Sequence, residues 1–489
     1  MAGSFCAGFK VGFSLQDLPA WCALNNVSFH NVKIQEIEDC GHGLVAEADL
    51  PHSGANSVLE IPQDLVLSAQ AVEDYAKIDK NFRDLLEKAG HQSHRANILL
   101  YLLMQMILSS PDFPDVQGVI SPWTQYVGVL PSQIPVPTTW SEAERAHLQG
   151  TSLESAVSAK LSALTREFDA IKAKTDDLRW WYDNVWLDEL VTIHDWVLLD
   201  AIYRSRSLEL PSSGEAMVPC LDMVNHSAEA TARFEEVAQG QVTLVLKDGL
   251  GISKGQEITI DYGQGKSAAE MLFSYGFIDP NCQAGKLVLP LEPMEDDPLT
   301  KAKMHVFGAT PTIQIEDGED GVPIWSAPFA YLMCLNEEDG LNFAVLQETD
   351  GSQQLKLFWQ DDDATGHSHD VKSLIEGHEL CKVFELRVVT VVLEQLQQQL
   401  EGLKLSVNSR KYPGPTREDV VRTVMHLRAV EQDLLERMVG SLEGQSTTNH
   451  RPCATERRTF SDDSVLAYLG SMEPTPNDEG GQVADEDFS

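Results

Sequence analysis

Leu221-Asp222-Met223-Val224-Asn225-His226-Ser227 is a polar island entered from an apolar approach and Pro219, and its reading decides the fold. Asn225 can donate and accept hydrogen bonds at once, and a neutral His226 can do likewise. A lone Asn-His pair is ordinarily a turn with a satisfied core histidine. Here Asp261-Tyr262-Gly263 and Ser274-Tyr275-Gly276-Phe277 follow, so an amide, an imidazole and three aromatic rings recur within one region.

Upstream, Val32-Lys33-Ile34-Gln35-Glu36-Ile37 alternates as a strand does, ahead of Cys40-Gly41-His42-Gly43-Leu44-Val45-Ala46 and Val58-Leu59-Glu60-Ile61-Pro62. Gly41-x-Gly43-x-x-Ala46 also fits a dinucleotide fingerprint, which needs a helix to open at once on a pyrophosphate. Asp49-Leu50-Pro51-His52-Ser53-Gly54 follows instead, and no helix begins cleanly there. Residues 31–67 therefore read as short strands with turns at Gly41, Gly43 and 51–54. Helical spacing takes over in residues 71–89, 95–108, 141–173 and 194–208. Trp180, Trp181, Trp186 and Trp196 read as packing core. Strand signals return at 243–246 and 257–261, and amphipathic runs occupy 380–403 and 417–442, the latter opened by Pro415-Thr416.

The 489 residues, 43% of them hydrophobic, suffice for two or three domains and exclude a wholly disordered chain. Lys and Arg number 36 against 75 Asp and Glu, so 36 − 75 gives a net charge of −39. That charge speaks against a nucleic-acid partner and favours a basic protein one. The apolar stretch 98–108 is too short to span a bilayer, and Met1-Ala2-Gly3-Ser4-Phe5 opens no signal peptide, so no membrane partner is expected. Eight scattered cysteines without a Cys-x-x-Cys pair argue against a metal site or a disulfide scaffold, and place reduced thiols in cytoplasm or nucleus. No Gly-x-Ser-x-Gly marks a hydrolase. Residues 445–489 lack periodicity, and eight acidic residues without Lys or Arg follow Phe460, so a disordered acidic tail is expected.

In this order the motifs resemble those of the SET-domain protein-lysine methyltransferases. The stretch carrying Trp123, Tyr126, Leu130-Pro131 and Trp140-Ser141 resembles the helical insert of the branch that includes plant Rubisco large-subunit lysine methyltransferase. The resemblance covers residues 20–285 and, more loosely, runs to about 440. It implies an α+β architecture: a SET domain of short β-strands at 20–285, with a large helical insertion at 69–190. A mostly α-helical C-terminal domain that holds protein substrates follows at 286–444, and then the disordered acidic tail.

The resemblance also implies S-adenosyl-L-methionine as cofactor, bound by Gly41, His42, Gly43, Leu44, Arg206, Asp222, Asn225 and His226. In such enzymes the Asn-His segment is threaded against a later one, and its main chain meets the adenine. Tyr262 is then the catalytic residue, aligning the acceptor amine for an in-line displacement, while Tyr275 and Phe277 wall the lysine channel. The implied activity is lysine N-methylation of a basic non-histone protein, such as a ribosomal protein or translation factor, by a monomer. Histidine methylation is a rival, and so is an inactive SET-fold interaction scaffold. The joint presence of Tyr262, Asn225 and His226 argues against the latter.

Overall fold

The computed structural model describes residues 13–447 apart from 39, 52–56, 91, 112–115, 238–239, 264, 281–284, 295, 319, 348–352 and 409–413. The expected tail lies, from residue 448 onward, outside the described residues, as does most of the turn expected at 51–54. Two compact units divide the chain: residues 1–285 with 409–430, and residues 286–408 with the remainder. Residues 409–430 thus group with the first unit, which interrupts the C-terminal domain expected at 286–444.

Among the described residues the first unit holds nine short strands: β1 (Ser28–Phe29), β2 (Val32–Ile37), β3 (Gly41–Ala46), β4 (Ser57–Ile61), β5 (Ser207–Leu210), β6 (Gly214–Met217), β7 (Ala232–Glu236), β8 (Val242–Leu246) and β9 (Glu257–Ile258). They form an antiparallel sheet in the order β1-β4-β8-β7, a second in the order β2-β3-β9, and the hairpin β5-β6. The alternation read at 32–37 is β2, and Gly41, at φ +75°, opens β3 opposite Ile37. Only Glu257 and Ile258 of the run 257–261 pair as an antiparallel strand, opposite Val45 and Leu44.

Two helical runs are broken where the periodicity alone is continuous. Asp79 separates Ala69–Ile78 from Lys80–Ala89 and caps the second by accepting the Phe82 N–H at 2.9 Å. Ser141 and Glu144 form a capping box on Glu142–Arg145, and Gly150 at φ +78° turns the chain before Leu153–Thr175. The helix Ile193–Arg206 ends two residues earlier than its spacing suggests, because Ser207 and Leu208 begin β5.

One core joins the strands to the insert. The helix His94–Ser109 is buried on nearly all sides, which is what its mostly apolar surface requires. Its Leu99, Leu102 and Leu103 belong to the same cluster as Leu44, Leu59, Ile61 and Leu244. Trp181, Trp186 and Trp196 are buried in it and Trp180 packs at its edge, as expected of core residues. Among the described residues, no helix is long and apolar enough to cross a membrane.

A smaller cluster unites Trp140, Leu148, Val157 and Leu272 with Val420, Val424 and Leu427, spaced four and three apart on the helix Glu418–Thr447. Beside it Arg417 bonds Glu144 at 2.7 Å. Burial opposes ionisation of Glu144, but the Arg417 guanidinium and the N–H groups of Ser141 and Arg417 outweigh it, bringing the carboxyl down to about 2 from 4.5. A carboxyl whose folded value is depressed stabilises the fold above its unfolded value and loses that contribution as pH falls through the folded one. Arg417 is half exposed, with 49% of its side chain open to solvent, so screening reduces the contribution to about 1–2 kcal/mol. Glu144→Gln should cost that much near neutral pH. The gap from wild type in denaturant unfolding should shrink steadily as pH drops below about 4.5 towards about 2. A pH-independent gap would assign the loss to packing instead.

The second unit carries strands ahead of its long helices. β10 (Lys286–Pro290), β11 (Thr312–Asp317) and β12 (Pro323–Ser326) form one antiparallel sheet. β13 (Leu341–Gln347), β14 (Gln353–Trp359) and β15 (Asp362–Asp363) form another. Helices make up most of its regular structure, notably Cys381–Asn408 and the later part of Glu418–Thr447, whose Leu434, Leu435, Met438 and Leu442 enter this unit's core. Lys303, only 1% exposed, is held by Asp297 at 2.6 Å and by the carbonyls of Met333 and Leu335. A buried ammonium is tolerated when every donor is matched in this way.

Candidate functional site

Two segments far apart in the chain run side by side in parallel, His226 bridging to Ile260. The Ser227 N–H donates to the Ile260 carbonyl at 3.0 Å, and the Ile260 N–H to the Asn225 carbonyl at 3.0 Å. This pairing delivers Tyr262 to His226. The Tyr262 N–H donates to His226 Nδ1 at 3.1 Å, which leaves Nε2 to carry the proton towards Asp279, 3.2 Å away. The Tyr262 hydroxyl donates to the Val224 carbonyl at 2.9 Å, so the ring is fixed at both ends.

Tyr275 lies against it, ring centroids 4.6 Å apart, and donates from its hydroxyl to the Tyr262 carbonyl at 3.2 Å. Tyr275 closes the helix Ala268–Tyr275, and Gly276 at φ +85° supplies the left-handed cap. A Cβ on Gly276 would stand 2.8 Å from the Pro135 carbonyl, so both conformation and space demand glycine here. Beyond it, Phe277 is exposed, 6.0 Å from the His226 ring and 6.3 Å from Tyr275.

A cavity of about 420 Å³ opens onto Tyr262 and Tyr275, walled also by Arg206, Asp222 and Val224. Its deep wall is polar and buried. Asp222 accepts from the Tyr126 hydroxyl at 2.5 Å and from Arg206 at 3.2 Å, while Arg206 also donates to the Asp222 carbonyl at 2.6 Å. The Tyr126 hydroxyl in turn accepts the Cys220 N–H at 2.7 Å, in a backbone held at φ +68°. Arg206 Nε is buried with no partner, a donor left over beside the cavity. Burial pushes the Asp222 carboxyl up, against the opposing pull of Arg206 and Tyr126. Burial likewise pushes the Tyr262 hydroxyl above its ordinary value and the Tyr275 hydroxyl up to about 12. Both tyrosines are therefore neutral phenols at physiological pH, suited to orient and not to remove protons.

One residue along from Val224, Asn225 Nδ2 donates to Glu257 at 2.8 Å. Gly43 makes this meeting possible, since a Cβ there would come within 2.6 Å of Glu257 Oε1 and 2.9 Å of Asn225 Nδ2. Arg206, Asp222, Tyr262 and Tyr275 thus line the cavity, Gly43 and Asn225 meet at Glu257, and His226 ties the Asn-His segment to Tyr262. Leu44 is core, Gly41 is exposed at the start of β3, and His42 is half-buried on β3 between them. Glu257, Asp279 and the Tyr126 hydroxyl were not among the residues singled out by sequence for a site role. Glu257 looks like any strand residue, and nothing local marks Asp279 or Tyr126 as a partner of His226 or Asp222.

No family model matches the chain. It is 27% identical over 392 residues to SET domain-containing protein 8 of Schizosaccharomyces pombe, an alignment covering 79% of this chain and 85% of that protein. It is 28% identical over 280 residues to the chloroplastic ribulose-1,5 bisphosphate carboxylase/oxygenase large subunit N-methyltransferase of Pisum sativum, covering 54% of this chain and 51% of that one. Among solved structures, the SET domain of LSMT bound to lysine and AdoHcy superposes with a TM-score of 0.61 at 22% identity, covering 88% of this chain and 91% of that chain. That superposition shows a shared overall fold. In sequence and in fold, the chain is similar to SET-domain methyltransferases of the Rubisco large-subunit methyltransferase-like branch.

Proposed function

We propose that this chain is an S-adenosylmethionine-dependent protein-lysine N-methyltransferase acting on a basic non-histone protein. The observation that carries this reading is a neutral Tyr262, immobilised by Val224 and His226 at an aromatic cavity with Tyr275 opposite. The relatives named as N-methyltransferases, and the structures of the shared fold with lysine and AdoHcy, support it.

S-adenosylmethionine suits the residues present. The unpartnered Arg206 Nε can meet a carboxylate, and the Asn225–Glu257 pair can meet an ammonium, the two charged ends of its amino-acid part. When bound, it supplies a sulfonium methyl as the electrophile for in-line displacement. Tyr262 and Tyr275 wall the approach of the acceptor, and their faces accept an alkyl stem and a methylated ammonium alike. Lysine ordinarily holds its proton to about 10.4, and a cationic sulfonium beside the Tyr262 and Tyr275 rings would disfavour the ammonium and favour the neutral amine. Phe277 extends the aromatic wall outward. The second unit provides a surface for holding a protein substrate such as a ribosomal protein or translation factor. Cys22, Cys220 and Cys334 are free thiols, which suits the reducing cytoplasm or nucleus.

Purified chain incubated with labelled S-adenosylmethionine and cell lysate should label protein lysines, identified by mass spectrometry. Label confined to histidines would move the assignment to histidine methylation, and binding without transfer would favour the inactive scaffold. Asn225→Ala should weaken S-adenosylmethionine by one to two decades, since a lost hydrogen bond to a charged group costs about 1.5–3 kcal/mol. Equal affinities by calorimetry would remove Asn225 from the cofactor site.

A further inference from the structure

Tyr275 is held from behind as well as by its own hydroxyl. It ends the helix Ala268–Tyr275, whose final carbonyls find no N–H within the helix and whose last turn carries no basic residue. The Gly276 N–H answers Leu272, and the next carbonyl, that of Phe273, accepts from Arg204 on the helix Ile193–Arg206. The same guanidinium lies over the Phe273 ring, 4.4 Å from its centroid. Cation and ring attract there, and a positive group suits the C-terminal end of a helix. Arg204 Nη2 also donates to the Thr138 hydroxyl at 2.9 Å, in the turn that follows Pro135, against which Gly276 packs. One side chain therefore ties the end of the Tyr275 helix to the segment it rests on.

Arg204 is itself anchored. Asp200, one turn earlier on the same helix, is fully buried. One of its oxygens takes Arg95 and Lys160, each at 2.8 Å, from the helices His94–Ser109 and Leu153–Thr175. Its other oxygen meets Arg204 Nη2 at 3.3 Å and Nε at 3.4 Å. Arg204 borders the Tyr262 cavity, yet each of its nitrogens is engaged by the protein, so its part is to hold the wall.

We infer that Arg204 is a positioning residue for methyl transfer: anchored by Asp200, it fixes the last turn of the helix Ala268–Tyr275 and so sets the Tyr275 ring against Tyr262. The inference rests on the methyltransferase reading of this cavity and adds a residue that acts on the acceptor's wall through Tyr275. The two rings lie 4.6 Å apart, and the Tyr275 hydroxyl reaches the Tyr262 carbonyl at 3.2 Å, so a shift of the helix end passes directly to both. In-line displacement tolerates little misalignment of the acceptor.

Arg204→Lys tests this, since it keeps a charge beside Asp200 but offers a point ammonium in place of the planar fork. In the full chain labelled with fluorotyrosine, fluorine NMR reports on the ten tyrosines, and Tyr262→Phe and Tyr275→Phe assign two of them. Arg204→Lys should move or broaden the Tyr262 and Tyr275 resonances and leave the others in place, whereas a general loosening would move many. On a lysine peptide it should lower kcat about tenfold with KM within about twofold. In a Tyr275→Ala background the same substitution should change kcat less than about twofold, as expected of coupled residues. A Tyr275 resonance that stays in place, shifts spread over all the tyrosines, or a kcat loss that multiplies with that of Tyr275→Ala overturns the role. Should Arg204→Lys not fold, Thr138→Val, which removes one acceptor of the guanidinium, is judged by the same spectrum. Calorimetry separates the two readings: no S-adenosylmethionine binding sinks the methyltransferase assignment, whereas binding with an unmoved Tyr275 resonance sinks only the positioning role.

Discussion

Tyr262→Phe lowers turnover on the order of 10²-fold while S-adenosylmethionine affinity stays within about twofold. The expectation follows from how Tyr262 is held. Its N–H is taken by His226 Nδ1 and its hydroxyl by the Val224 carbonyl, so the phenol oxygen occupies one position at the cavity wall. Phenylalanine keeps the ring and its contact with Tyr275, yet removes the oxygen that can orient a methyl group by weak C–H···O contacts. It also leaves the Val224 carbonyl unanswered. Because the hydroxyl stays neutral, the loss should be uniform across pH and should not appear as a displaced pH profile. Single-turnover kinetics distinguish the outcomes. An unchanged rate would make Tyr262 a structural residue, and a loss confined to high or low pH would assign it proton transfer.

Asp222→Ala should cost about 3–5 kcal/mol of stability, the penalty for stranding a buried charge. Asp222 is fully buried between the Arg206 guanidinium and the Tyr126 hydroxyl, and it is the acidic partner of both. Removing it leaves Arg206, already short of a partner at Nε, without its counter-ion, and leaves the Tyr126 donor unmet. Asp222→Asn keeps the shape and one acceptor, so it should lose less. Denaturant unfolding followed by tryptophan fluorescence reads the first unit, since every tryptophan except Trp325 and Trp359 lies in it. A loss below about 1 kcal/mol would mean that water reaches Arg206 and solvates it in place of the carboxylate.

Much of this protein is legible one segment at a time. The alternation of 32–37, the mostly apolar helix at His94–Ser109 and the islands at Asn225-His226, Tyr262 and Tyr275 all announce themselves locally. Their signals are periodicity and composition, which need no knowledge of a partner. The motif order then carried the fold and the reaction class.

Other features depended on partners that the chain does not mark. Gly41 and Gly43 look alike in sequence, yet one faces open space at the start of β3 and the other is a close approach that admits Asn225 to Glu257. Glu257 and Asp279 read as an ordinary strand residue and an ordinary loop residue until the parallel pairing of His226 with Ile260 brings them to the site. The six strands described in the second unit went unread because several are short or half-exposed, and β13 shows no clean alternation between Leu341 and Gln347. Residues 409–430 grouped with the first unit because Val420, Val424 and Leu427 found Trp140 and Leu272. A helical period specifies that a face will be buried, and the sequence determined that much. Which surface buries it, and which carboxylate then meets which guanidinium, is set by packing between residues far apart in the chain, and only the tertiary structure decides it.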